Sequence, residues 1–314
     1  MLSGFLRSAT KTIKLNMQIS EEQLSHWAKA PSETEEQKCQ NVVKQISDSI
    51  LDKYGSDVSI FLQGSYKNRT NVRQDSDVDI VVLHENYFFS DVSFLDESEK
   101  SEYWKNFNGS QYTFQNFKSE VHDIANNTFG VSRVNRKNKC IRIDGNSYTV
   151  HADIVPCFVH KRIGKNNVTE AEGIEFEADS GIRTISFPKQ HYDNGAEKNK
   201  NTNEMYKPVV RILKNVRNAL LDNRLIGEDL MPSFFLECLV WNVLPHSHFD
   251  QNKYSEATKN ILITLYQEMG EPTKANEYAE VSNLKWLFKG SPHRTYQQAR
   301  DFLIKAWNHL GYEN

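Results

Sequence analysis

A chain of 314 residues with 38% hydrophobic and 25% charged side chains has room for one large or two ordinary domains around a real core. Its formal net charge of −3 argues against coating nucleic acid through a broad basic surface, though a local basic groove stays open. No apolar run reaches about 18 residues, so no membrane-spanning helix is predicted. Four cysteines at 39, 140, 157 and 238, without a CxxC pair, fit thiols in a reducing cytosol better than disulfides or a zinc knuckle.

The first 18 residues carry Arg7, Lys11 and Lys14 and no acid. They lack an apolar h-region and a small-residue cleavage site, so an ordinary N-terminal helix is expected there rather than a targeting signal. Ser20 with Gln23, and Ser32 with Glu35, have capping-box form. They predict a short helix through Leu24 and Trp27, then a long one over 32–54 with Val42, Val43, Ile46 and Ile50 at helical spacing. Gly55-Ser56-Asp57 breaks it, and Val58 to Leu62 and Asp77 to Leu83 read as buried strands. A short amphipathic helix is predicted around Tyr103, Trp104 and Phe107, and a longer one over 111–130. Lys139 to Ile143 and Tyr148 to Phe158 flank the turn Asp144-Gly145-Asn146-Ser147, which predicts a hairpin. Short strands follow at 173–178 and 182–187. The Asn-, Lys- and Gly-rich stretch 188–203 is expected to be a mobile connector between halves. Helices are predicted near 206–221, 232–244, 255–270, 274–288 and 294–310. Strands mixed with helices, followed by an all-helical half, make a bilobal α+β protein, with one lobe at 1–205 and a helical lobe at 206–314.

Asp75, Asp77 and Asp79 stand within five residues at the threshold of a buried strand, where an uncompensated carboxylate costs several kcal/mol. A cation is therefore expected beside them. Alternate strand residues share a face, which puts Asp77 and Asp79 on one side with Cα atoms about 6.6 Å apart. That span suits two magnesium ions about 3.5–4 Å apart, while Val78 and Ile80 pack behind. Asp153, which interrupts the apolar run "YTVHADIVPCF", is the third candidate if its strand pairs beside the first; it could accept a proton from an attacking hydroxyl or polarise it through a metal. The alternative is a solvated strand edge. Gly64-Ser65 follows a strand, where glycine lets the backbone approach a phosphate and serine adds a donor; alone, the pair marks only a turn. Lys207, Arg211 and Lys214 fall at i, i+4 and i+7 on one helical face, for which the plain alternative is a solvated basic stripe. Ser233 stands at a helix start, as an anion contact or a cap. Gln63, Arg73 and His151 are expected beside the site, with Gln63 included among the nucleotide-binding candidates. Phe187 and Tyr192 could stack on a base, though strand aromatics usually belong to the core.

An apolar residue, Gly64-Ser65, eleven residues and then Asp77-Val78-Asp79-Ile80 resembles the signature of polymerase β type nucleotidyltransferases. "YKPVVRILKNVRN" and "PSFFLECLVWNV" resemble the second lobe of the cGAS and oligoadenylate synthase branch. With "LQGSYKNRT" and "VHADIVPCF", the chain is most similar to the bacterial CD-NTases, over roughly residues 32–245. The resemblance implies a polymerase β type core with a mixed sheet and a C-terminal helical lobe. It also implies a cytoplasmic enzyme that joins NTPs into a cyclic di- or trinucleotide messenger in anti-phage (CBASS) signalling. Asp77, Asp79 and Asp153 match the family's metal triad for two Mg²⁺ ions, with Mn²⁺ as a substitute. Gly64 and Ser65 match the triphosphate loop, and Lys214 and Ser233 the second-lobe phosphate contacts. ATP is expected as one substrate, with the second NTP, the linkage and the ring size open. A regulatory protein of the defence operon and a downstream effector are expected partners. No Cys/His cluster resembles the zinc insertion of animal cGAS, so no double-stranded DNA activator is expected. The rivals are transfer of one nucleotide to a small molecule, protein or RNA end, and a non-catalytic nucleotide or RNA sensor.

Overall fold

The computed structural model describes residues 18–72, 77–291 and 293–312. Arg73, Asp75 and, apart from Gln18, the expected N-terminal helix lie outside them. Both predicted capping signals operate. Ser20 accepts the Gln23 amide ahead of helix α1 (Glu21–Ala28), and Ser32 and Glu35 close a full capping box on α2 (Glu33–Tyr54). Strand β1 (Val58–Gln63) runs into the short helix α3 (Gly64–Asn68), and β2 (Val78–Asp91) follows. Next come α4 (Glu97–Trp104), α5 (Phe114–Phe129), β3 (Val134–Arg136), β4 (Ile141–Ile143) and β5 (Ala152–Ile163). Then β6 (Thr169–Glu177), β7 (Arg183–Ser186) and α6 (Pro188–Asn201) lead to a helical run of α7 (Tyr206–Asp222), α8 (Ser233–Asn242), α9 (Tyr254–Glu268), α10 (Pro272–Ala275) and α11 (Tyr296–Leu310).

The sheet is mixed, in the order β1-β2-β5-β4-β3, with β6 on the later half of β5 and β7 beyond it. Its centre is the parallel pair β2–β5. Both strands carry near-continuous apolar runs, as a doubly covered parallel pair requires: Val78, Ile80, Val81 and Val82 are fully buried, with Ala152 and Ile154 beside them. Cys39, Val42, Ile46 and Ile50 of α2 and Phe117 and Val121 of α5 close that core. A second core gathers α7, α8, α9 and α11, and takes in Leu24 and Ala28 of α1.

Three expectations give way. Residues 188–203 are not a mobile connector: 188–201 form α6. Pro188 at its first turn is a start signal, and the helix is held by polar rather than apolar contacts. Lys198 Nζ donates to the Val243 carbonyl at 2.6 Å, and Asn199 Oδ1 accepts the Lys207 amide at 3.0 Å. The helix predicted over 274–288 stops at Ala275, and a turn with Asn283 in the left-handed region and a bridge between Ala279 and Trp286 replaces the rest. The helix near Tyr103 begins earlier, because Asp96 and Glu99 form a capping box. The predicted hairpin is present, its turn closed by Asn146 Oδ1 accepting the Tyr148 and Thr149 amides, although β5 begins only at Ala152. All four cysteines are free, three of them buried, and among the described residues no helix is long and apolar enough to cross a membrane.

Candidate active site

Strand register assembles the site. Gln63 on β1 pairs with Asp79 on β2, Asp79 with Asp153 on β5, and Asp153 with Arg142 on β4. Directly opposed residues share a face with Cβ atoms about 5 Å apart, so these four side chains form one row across the sheet. Asp77 immediately precedes β2. Val78, Ile80, Ala152 and Ile154 take the opposite, fully covered face, as a period of two demands.

Gly64 sits at φ +69°, in the left-handed region that side chains rarely adopt, and a Cβ there would run into Asp79 Oδ2. The turn after β1 is therefore pressed against the carboxylate, and only glycine leaves it room. Gly64→Ala is expected to lower the transfer rate by about a hundredfold, the scale of a roughly 1 Å misplacement of a reacting group. Single-turnover kinetics beside a thermal melt would check it; a wild-type rate would show that the carboxylate has no fixed position to defend.

The electrostatics are those of a place short of positive charge. Burial, then Asp153 and Asp77, push Asp79 up to about 7. Burial also raises Asp153, against the opposing pull of Arg142, and its buried Oδ1 has no hydrogen-bond partner. The Cys140 thiol beside it, pushed up to about 12 by burial and then by Asp153, is a weak donor. Among the described residues, the cation in contact with these carboxylates is Arg142. Its Nη1 and Nη2 donate to Asp77 Oδ2 and Oδ1 at 2.8 and 3.0 Å, and Nη1 stands 3.6 Å from Asp153 Oδ2. Among the described residues no three His, Cys, Asp or Glu side chains are disposed to hold a metal ion as they stand; the guanidinium contacts Asp77 and approaches Asp153. In donor type and charge the carboxylates nonetheless fit a hard divalent cation: the orphan oxygen of Asp153 and the raised proton affinity of Asp79 both call for one.

The second lobe reaches this region through one buried network. The Ser65 carbonyl accepts the Thr70 amide at 2.9 Å, and Thr70 Oγ1 donates to Glu237 Oε2 of α8 at 2.7 Å. Lys214 Nζ of α7 donates to the same carboxylate oxygen at 2.9 Å and to Thr70 Oγ1 at 3.2 Å, and His191 of α6 lies 3.0 Å from Glu237 Oε1. Burial alone would push Glu237 up; Lys214, then His191 and Thr70, hold it well below the usual carboxylate range. The solvated-stripe alternative fails for two of the three basic residues, since Arg211 and Lys214 are buried. Arg211 donates to the carbonyls of Ala28 and Arg69, clamping α7 to α1 and to the end of α3.

Ser233 opens α8, half-buried, one turn before Glu237 and so on the same face. His151 lies on the turn before β5, where its Nδ1 accepts the Gly145 amide at 3.2 Å. Phe187 is core, edge-on to His160. Tyr192 is exposed, with Lys67 Nζ 4.8 Å and Lys207 Nζ 5.9 Å from its ring centre. Thr70, Arg142, His191 and Glu237 were not among the sequence candidates. Of these only Glu237 had a signal, as a lone acid in the apolar run "SFFLECLVWNV". A cavity of about 760 Å³ lined by Phe88, Trp104, Phe107, His160 and Arg183 lies toward the other ends of β2 and β5, away from the acids.

With this geometry in hand, comparison with known proteins is specific. Residues 43–143 match the model of the nucleotidyltransferase domain, and residues 193–311 that of the cGAS/DncV-like nucleotidyltransferase C-terminal helical domain. The chain is 45% identical over 297 residues to a cyclic dipurine nucleotide synthase of Elizabethkingia meningoseptica, covering 95% of this chain and all of the relative. It is 36% identical to the cyclic dipyrimidine nucleotide synthase CdnE of Cecembia lonarensis, covering 93% and 99%. Among solved structures, the E. meningoseptica CdnE cyclic dinucleotide synthase with GTP and Apcpp aligns with TM-score 0.80 at 43% identity, covering 94% of this chain and all of that one. The Rhodothermus marinus CdnE c-UMP-AMP synthase with Apcpp and Upnpp aligns with TM-score 0.78 at 31% identity, covering 94% and 98%.

Proposed function

Since the chain belongs to the cGAS/DncV-like nucleotidyltransferases, we propose that it joins nucleoside triphosphates into a cyclic dinucleotide at the row of acids described above. The observation that supports this placement is the Asp79–Asp153 register, which brings two acids 74 residues apart in sequence onto one face beside Asp77. Asp77, Asp79 and Asp153 would hold divalent cations, Mg²⁺ in the cell with Mn²⁺ as a substitute. Such ions supply positive charge to the triphosphate and lower the pKa of an acceptor hydroxyl. Gly64 brings the turn after β1 close to Asp79, and Ser65 offers its hydroxyl to the donor phosphates. Lys214, tied through Thr70 to the turn that carries Ser65, and Ser233, one turn before Glu237 at the start of α8, are the second-lobe contacts to the triphosphate. Gln63 flanks Asp79 and orients the nucleotide.

The greater similarity to the dipurine synthase (45% against 36% identity to the dipyrimidine one) makes ATP and GTP the first substrates to test. A cytoplasmic role in CBASS anti-phage signalling, with an operon-encoded regulator and an effector that reads the product, completes the reading. Incubation with all four NTPs and Mg²⁺ should release pyrophosphate and yield a phosphatase-resistant product with the mass of a cyclic dinucleotide. A linear product alone would count against cyclisation. A single-nucleotide adduct would favour the transfer reading, and no pyrophosphate the sensor.

A further inference from the structure

We propose that Arg142 is a built-in counter-ion for the acid row: its guanidinium holds Asp77 and Asp153 until a divalent cation takes them, and must be displaced for the cation to enter. The inference rests on reading Asp77, Asp79 and Asp153 as the cation ligands, and adds a residue that competes for that place.

Geometry carries it. Arg142 engages both oxygens of Asp77 in a two-pronged contact and also approaches Asp153. Forked pairs of this kind are the strong, orientation-demanding ones. A cation shared by Asp77 and Asp153 could use the free Oδ1 of Asp153, but at Asp77 it would have to take an oxygen that the guanidinium already engages, since both are held in the fork. Arg142 is anchored on β4 directly opposite Asp153, which makes the competition a property of strand register rather than of a wandering side chain. It also has somewhere to go. Asp144 lies two residues along, half exposed, with Oδ1 4.0 Å from Arg142 Nε, so a rotation of the long side chain passes the guanidinium to a second carboxylate without burying an unpaired charge.

The consequence is an ordering of events. A free divalent ion must displace the fork unaided, whereas an ion arriving with a triphosphate brings oxygen ligands and negative charge of its own. The acid row is thereby biased toward taking its cation together with the nucleotide. Arg142 is on this account a positioning residue.

The test is Mn²⁺ titration of the full chain after EDTA treatment, without nucleotide, followed by the electron paramagnetic resonance signal of free Mn²⁺. The variants are Arg142→Gln, Arg142→Lys, Asp79→Asn and Asp153→Asn, each with a thermal melt to establish folding. Arg142→Gln should bind Mn²⁺ about tenfold more tightly than wild type, the scale of one partly exposed charge-assisted pair. Arg142→Lys keeps the charge but loses the fork, and should fall between the two. A non-hydrolysable ATP analogue should narrow the difference. Arg142→Gln binding no tighter than wild type overturns the proposal while leaving the site reading intact. Arg142→Lys indistinguishable from wild type also overturns it, because net charge rather than the fork would then set the affinity. If Asp79→Asn and Asp153→Asn bind Mn²⁺ like wild type, the site reading falls, and the proposal with it.

Discussion

Asp79→Asn is expected to cut nucleotide transfer by about a thousandfold or more, the loss of several kcal/mol of charge stabilisation at tenfold per 1.4 kcal/mol. The same substitution should make EDTA-treated protein more stable at pH 8. The two effects have one origin: Asp79 is pushed up to about 7 by burial and by Asp153 and Asp77, against about 3.9 for a free aspartate. An acid whose folded pKa is raised binds its proton more tightly when folded, so stability falls as pH rises through the window from about 4 to 7. Above that window the whole penalty is present, at most about 4 kcal/mol. Asparagine has the same shape and no charge, so it should raise the melting temperature by several degrees at pH 8 and by little at pH 4, where the wild-type carboxyl is itself neutral. Melts across pH 4–9 and a pyrophosphate-release assay check both halves. A stability gain independent of pH would show that ionisation of Asp79 is not its source, and retained transfer would remove Asp79 from the site.

How much of this could be read from the chain depends on the kind of signal each residue leaves. The meeting of Asp79 and Asp153 beside Asp77 was legible because a strand repeats every two residues: an acid inside an apolar run violates the pattern and stands out. Their convergence needed only that two strands pair side by side, and the parallel register delivers it with Asp79 facing Asp153. Arg142 left no such mark. In "NKCIRIDG" it alternates with isoleucines, as any solvent-facing strand residue does, and only the β4–β5 register turns it toward the acids. Helix α6 was missed for the opposite reason: its stretch is poor in apolar side chains, and its place is fixed by hydrogen bonds from Lys198 and Asn199, which periodicity cannot register. The basic face of α7 was seen, but whether it met water or protein depended on the elements packed against it, α1, α8 and the end of α3. Arg211 and Lys214 found carbonyls and a carboxylate there.

Glu237→Ala is expected to be the most damaging single change away from the acids. It leaves Lys214 buried without its carboxylate, and removes the partner of Thr70 and His191 in the same step. Breaking one side of a buried pair costs about 3–5 kcal/mol, which in a chain of this size lowers the melting temperature by about 10 °C. The pH dependence follows from the depressed pKa of Glu237. A lowered acid contributes stability that is present above its unfolded value of about 4.3 and is lost as pH falls toward the folded one, so the gap between wild type and variant should narrow in acid. Replacing both partners by apolar residues of similar volume, Glu237→Leu with Lys214→Met, should recover most of the stability, since neither charge is then stranded. Activity separates structure from chemistry. If Lys214 only braces the lobes, the stable double variant works with a normal KM for NTP; if it also contacts the triphosphate, KM rises although the melt is restored. A single variant that melts with the wild type would mean that the Thr70–Glu237–Lys214 network bears none of the coupling between the two lobes.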